Sequence, residues 1–114
     1  MQRHQRLRHR RDFAAVYGSG RSYARGPLAL RIRSNPETNT PRYGFAVGKR
    51  LGGAVVRNRI KRRLRESARA SGADGRVDIV VIARNGSQIA SFIELRDGLL
   101  TLLARAGLLA GENE

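Results

Sequence analysis

The chain has 114 residues with 23 Lys and Arg against 9 Asp and Glu, a formal net charge of +14, and 40% hydrophobic residues. That length fits one small domain, here spanning 1–114, with a modest core and a large exposed share of surface. There is no cysteine, which excludes a disulfide framework and a thiolate metal site. Apolar runs such as Ile79–Ala83 are far too short to span a bilayer. No apolar stretch follows the basic N-terminus, so it is not read as a secretory signal and a cytoplasmic protein is expected.

The charge is unevenly placed. Residues 1–70 hold 19 basic and 3 acidic residues, net +16, whereas residues 71–114 hold 4 and 6, net −2. One part is suited to a polyanion and the other to scaffolding. A membrane surface would need a broad apolar helix face, and the most basic segment, 54–70, has no Trp or Phe.

In chain order, residues 1–9 are polar and Arg-rich and are expected to be mobile, as is a tail at 110–114. Phe13, Val16 and Tyr17 at i, i+3, i+4 predict a short helix, with Gly18 as its stop and Gly20 continuing the turn. A short strand near Arg21–Arg25 is a further candidate. Leu28, Leu30 and Ile32 alternate with Ala29, Arg31 and Arg33, the pattern of a half-buried strand. Residues 35–41 read as a surface loop. Tyr43, Phe45 and Val47 alternate with Gly44, Ala46 and Gly48, a strand with one nearly bare face that a partner's backbone or bases could approach.

Gly52-Gly53 breaks that strand, and a helix is expected from Ala54 to Ala70, stopped by Gly72. Val77–Ala83 is apolar and β-branched apart from Asp78, the mark of a buried central strand. Asp78 itself reads as structural, paired with an arginine. Ser91 and Glu94 have capping-box spacing for a last helix. Its stripe is Leu95, Leu99, Leu102, Leu103 and Ala106, and Gly107 ends it.

The helix over 54–70 carries the clearest functional signal. Val56, Ile60, Leu64 and Ser67-Ala68 form one narrow stripe for a sheet. Arg57, Lys61 and Arg65 form a row beside it, extended by Asn58, Arg62 and Arg69, with Arg59 and Arg63 on the other flank. Like charges at i, i+4 destabilise an isolated helix by ~0.2–0.5 kcal/mol per pair. Only Glu66 offsets them locally, so a polyanionic partner best explains the pattern. Guanidinium forks grip phosphate in bidentate fashion.

These residues resemble a known family. Gly44-Phe45-Ala46-Val47-Gly48-Lys49-Arg50, followed by Gly53-Ala54-Val55-Val56-Arg57-Asn58-Arg59-Ile60-Lys61-Arg62, is similar to the signature of the bacterial ribonuclease P proteins, with Arg57-Asn58-Arg59 as the hallmark. Arg10-Arg11-Asp12-Phe13-Ala14-Ala15-Val16-Tyr17 resembles that family's first helix, and Asp78–Arg84 its last strand. The likeness runs over about residues 7–109. It implies a two-layer α/β (α+β) sandwich of order α-β-β-β-α-β-α with a mostly antiparallel sheet. It also implies a left-handed β-α-β crossover, against the ~98% right-handed rule.

The resemblance further implies a subunit of an endoribonuclease whose catalyst is RNA. The partners would be the ribonuclease P RNA and precursor tRNA. Mg²⁺ would be required by the RNA subunit, with no cofactor bound by the protein alone. Arg57, Asn58, Arg59, Lys61, Arg62 and Arg65 would bind the RNA subunit. Phe13 and Tyr17 would line a cleft for the 5′ leader, edged by Arg10, Lys49, Arg50 and Arg84. Gly48 and Gly53 stand where the family usually carries polar or basic side chains, which bears on leader contacts from those positions.

From the residues alone, Phe13 and Tyr17 read equally as core or as a stacking platform for unpaired bases. His4 and His9 lack a third ligand type at metal spacing, so no metal site is expected. Asp12, Glu37 and Glu66 make no acid–base pair, so no catalytic residue is assigned. The rivals are a stand-alone basic RNA-binding protein of ribosomal type and a protein-only nuclease. The latter would need clustered carboxylates.

Overall fold

The computed structural model describes residues 5–109, so the segments 1–4 and 110–114, and with them His4 and the expected mobile tail, lie outside the described residues. Three α-helices and four strands follow in the order α1 (Arg10–Ser19), β1 (Arg21–Arg25), β2 (Leu28–Ser34), β3 (Arg42–Val47), α2 (Ala54–Ala70), β4 (Val77–Ala83) and α3 (Phe92–Arg105), with a 3-10 turn at Lys49–Leu51. The expected order holds, including the short strand at Arg21–Arg25. Among the described residues, no helix is long and apolar enough to cross a membrane.

The strands lie in the order β1-β2-β4-β3. β1 with β2 and β2 with β4 are antiparallel, while β3 with β4 is parallel. α2 joins that parallel pair, as a parallel connection requires a crossover element. The apolar run Val77–Ala83 is the interior strand its composition predicts, buried at every position except half-buried Ile82.

Strand alternation divides the sheet into two unlike faces. One carries Leu28, Leu30, Ile32, Tyr43, Val47, Ile79 and Val81, which pack with Ile60, Leu64 and Ala68 of α2 and with Leu95, Leu99, Leu102 and Leu103 of α3. α3 begins with the expected reciprocal cap: Glu94 N–H donates to Ser91 Oγ at 3.1 Å, and Ser91 N–H to Glu94 Oε1 at 2.9 Å. The other face meets α1, with a small apolar cluster of Leu7, Val16 and Val80 and the partly buried Phe13, Ala46 and Ile82 around it.

Two expectations need correction. Residues 5–9 are not loose: Leu7 is buried, and its N–H donates to the Tyr43 carbonyl at 2.8 Å. That bond, with the Arg6–Tyr43 bridge, gives the outer edge of β3 a partner, because an unpaired edge leaves backbone groups to be satisfied. The first helix does not stop at Gly18 but runs to Ser19, with Gly20 as its cap. A Cβ at Gly20 would sit 2.5 Å from the Val16 carbonyl oxygen and 2.8 Å from that of Ile32. Only glycine allows the helix end to touch β2 so closely.

Candidate nucleic-acid interface

The pairing register lays three rows of side chains across the α1 face. The first is Arg33, Asp78 and Arg42; the second Ser22, Arg31, Val80 and Gly44; the third Ala24, Ala29, Ile82 and Ala46. α1 lies over the second row. Phe13 rests on Gly44, where a Cβ would fall 2.5 Å from two of its ring carbons. The bare face of β3 is therefore filled by Phe13 at Gly44 and opens only at Ala46. The third row, exposed at Ala24 and half-buried at Ala29, Ile82 and Ala46, lies beside α1 as the floor of the candidate cleft.

Phe13 is half-buried within the Leu7–Val16–Val80 cluster, so it is both packing and cleft wall. Tyr17, one turn on, is 43% exposed. Burial pushes its hydroxyl above the usual tyrosine value, against an opposing pull from Arg31. Arg10 is exposed on the first turn of the same helix.

Of the four cations expected at the cleft edge, Lys49, Arg50 and Arg84 gather at the carboxyl ends of β3 and β4, while Arg10 stands apart on α1. Arg50 and Arg84 line one cavity with Gly48, Leu51, Ala83 and Asn85. Arg84 is held there because its Nη2 donates to the Gly26 carbonyl at 2.6 Å. Lys49 is exposed in the turn after β3. A Cβ at Gly48 or Gly53 would meet nothing within 4 Å, so there is room for side chains that this chain lacks.

α2 lies on the opposite face of the sheet. Ile60, Leu64, Ser67 and Ala68 are buried, as the stripe predicts, and its cations are shared among three directions. Asn58 and Arg62 are exposed on the crest. Arg59 Nη2 donates to the Gln88 carbonyl at 3.3 Å and Arg63 Nη1 to that of Ala90 at 3.2 Å, which ties the β4–α3 loop to the helix. On the other flank Lys61 and Arg65 line a groove that runs round the β3 edge to Phe13 of α1, with Arg6 and Phe45 between. The Arg65 guanidinium sits 5.9 Å from the Phe45 ring centre, within cation–π range. Arg57, half-buried, stands one turn before Lys61.

Among the described residues no group of three His, Cys, Asp or Glu could hold a metal ion. Two of the carboxylates are engaged otherwise: Asp78 is fully buried against Arg42, and Asp12 faces Arg42. This donor set does not fit a divalent cation, and the structural reading of Asp78 holds. Sequence reasoning placed Arg31 on the outer face of β2 but missed Arg42, and missed that both meet α1. Their place on that face is the signal, since arginines alternating into a buried strand pattern need partners.

These surfaces define a class: a small, strongly basic α+β protein with a cationic helix on one face of its sheet and an aromatic-bearing helix on the other. The family model described as Ribonuclease P matches residues 1–107. The ribonuclease P protein component of Symbiobacterium thermophilum is 43% identical over 114 residues, covering 98% of this chain and 99% of the relative. That of Clostridium novyi is 37% identical over 111 residues, with 95% and 98% covered. The Staphylococcus aureus RNase P protein structure superposes with a TM-score of 0.84 at 32% identity, covering 92% of this chain and 97% of that one. The Thermotoga maritima structure gives 0.80 at 35% identity, covering 88% and 96%. The chain belongs to the ribonuclease P protein family.

Proposed function

We propose that the chain acts in the cytoplasm as the protein subunit of ribonuclease P. It binds the RNA subunit through Arg57, Asn58, Arg59, Lys61, Arg62 and Arg65, and the 5′ leader of precursor tRNA through the cleft walled by Phe13 and Tyr17. Arg10, Lys49, Arg50 and Arg84 supply phosphate contacts along the leader. Hydrolysis of the phosphodiester is assigned to the RNA subunit, which would hold Mg²⁺. Asp12 and Asp78, the carboxylates nearest α1, face Arg42, and the part assigned to the protein is to bind and orient.

The observation that supports this reading is that the aromatic-bearing α1 and the cationic α2 pack on opposite faces of one sheet, meeting at the β3-edge groove that Phe13 shares with Lys61 and Arg65. A stand-alone RNA-binding protein of ribosomal type would need the cationic helix but not the cleft. A protein engaging a catalytic RNA and its substrate together needs both.

The test is a cleavage assay on precursor tRNA. The purified protein with Mg²⁺ is expected to give no product. Adding the RNA subunit is expected to give the mature 5′ end, with the protein's stimulation greatest at low Mg²⁺, where protein cations replace metal charge. Robust cleavage by RNA-free protein overturns the assignment. Sequencing RNA that co-purifies with the chain separates the two binding readings: ribonuclease P RNA supports the first, ribosomal RNA alone the second.

A further inference from the structure

α1 is the least anchored helix of the fold. Val16 is its one fully buried residue, whereas α2 and α3 bury four each. Charge supplies what apolar packing does not. Under its first turn, Asp78 accepts Arg42 Nε at 2.8 Å and Nη2 at 2.9 Å, and Asn35 Nδ2 at 3.3 and 3.2 Å on its two oxygens. Arg33 Nη1 stands 3.6 Å away from the same carboxylate. One buried carboxylate thus serves two partly exposed guanidiniums, and charge drawn out of water is stable only when it is matched. Asp12 of α1 answers the excess. Its Oδ1 lies 3.9 Å from Arg42 Nη2, with the two side chains 19% and 26% exposed. Glu37 adds a weaker pull on Arg42.

At the other end of α1, Arg31 Nη2 donates to the Tyr17 carbonyl and its Nη1 to Ser22 Oγ at 2.6 Å. Phe13 immediately follows Asp12, and Tyr17 is the residue Arg31 grips. Both aromatic walls of the cleft are therefore placed by guanidiniums rising from the sheet.

We infer that Arg42 and Arg31 are positioning residues: they clamp the two ends of α1 and so set the width of the cleft beneath it. The functional half of this inference rests on the cleft being the leader path. A helix held by charge responds to the loss of a single charge, even where the core is untouched.

Asp12→Asn is the informative variant. Its amide oxygen can still accept the His9 N–H that Asp12 accepts at 3.3 Å, and the Asp78–Arg42–Arg33 cluster is left in place. Hydrogen exchange of the full-length chain is expected to quicken at the α1 amides by roughly two- to five-fold, the factor a partly exposed ion pair supplies, with β4 amides unchanged. The holoenzyme's preference for precursor over mature tRNA should fall by a similar factor, while affinity for the RNA subunit holds. Asp12→Glu, which keeps the charge, should restore both readouts. Arg31→Gln should quicken exchange in the second half of α1 only. Unchanged α1 exchange in both Asp12→Asn and Arg31→Gln overturns the clamp. So does quickening spread evenly over α1 and β4, the sign of a general loss of stability. Phe13→Ala in the same tRNA assay separates the two ideas. If it leaves the preference unaltered, the leader reading fails; if it lowers the preference and Asp12→Asn does not, the clamp fails.

Discussion

The two faces of the sheet are stabilised by different physics. The face under α2 and α3 gathers nineteen buried residues in one cluster, whereas the face under α1 gathers three. Each fully buried Leu, Ile or Val contributes about 1.5–3 kcal/mol, so the first face carries most of the fold's stability. The second holds a helix by ion pairs and a few apolar contacts, leaving part of the sheet open. A rigid apolar layer lets the opposite layer be shaped for binding, because the sheet between them does not need both sides covered to stay formed. The charge follows a related division: α2 turns its apolar stripe inward and its cations outward, so the most cationic helix is one of the two anchored on the apolar face.

The comparison can be broken most severely at Asp78. Asp78→Ala leaves Arg42 and Arg33 facing each other with Asp12, 3.9 Å from Arg42, as their nearest counter-charge and is expected to cost about 3–5 kcal/mol, read by urea unfolding. Leu99→Ala, on the apolar face, is expected to cost a similar 2–5 kcal/mol. The two losses should differ in character, with that of Asp78→Ala smaller at high salt, where repulsion between the arginines is screened.

Next comes Phe13→Ala, which tests whether the α1 face works on RNA or merely packs. It is expected to weaken holoenzyme binding of precursor tRNA by ~1–3 kcal/mol, one stacking platform, with mature tRNA nearly unaffected. Thermal unfolding on the same sample is the control: a large drop in Tm with both tRNAs weakened alike would make Phe13 a core residue only. Arg62→Ala, on the exposed crest of α2, should spare stability and flatten the salt dependence of RNA-subunit binding by a slope of roughly 0.7–0.9. An unchanged slope would mean that Arg62 touches no phosphate.

The smallest expected effect is alkaline. Burial raises the Tyr43 hydroxyl above its ordinary value, so the folded chain holds that proton more tightly than the unfolded one. The resulting stability is fully present below about pH 10 and is lost as pH rises from there through the folded value. Tyr43→Phe should flatten this decline in a pH series of unfolding curves.

Much of the architecture was legible because local pattern and global burial agree. α2 spans Ala54–Ala70 and β4 Val77–Ala83 as periodicity predicts, and the Ser91–Glu94 cap is made. The end of α1 was misplaced because what selects Gly20 over Gly18 is the approach of Ile32, a contact that no local rule contains. Leu7 was missed for a similar reason: its partner Tyr43 lies 36 residues on, and one apolar residue in a polar run has no period. Within the site, the cationic helix could be read from composition alone. The α1 clamp could not, since it depends on a register that places Arg33, Asp78 and Arg42 side by side.

The strand order β1-β2-β4-β3 also has a temporal consequence. β4 must enter between two strands that precede it, after the whole of α2 has been made. Until residue 83 is available, the flanks of β2 and β3 that β4 will occupy are both unpaired, and unpaired apolar edges are hazards for association. A hairpin such as β1–β2 closes in microseconds, but the insertion of β4 joins segments distant in sequence and is the slow step such topology imposes. The segment waiting for that step, residues 1–70, carries a net +16. Mutual repulsion between copies of that segment keeps unfinished chains apart while the sheet is still open.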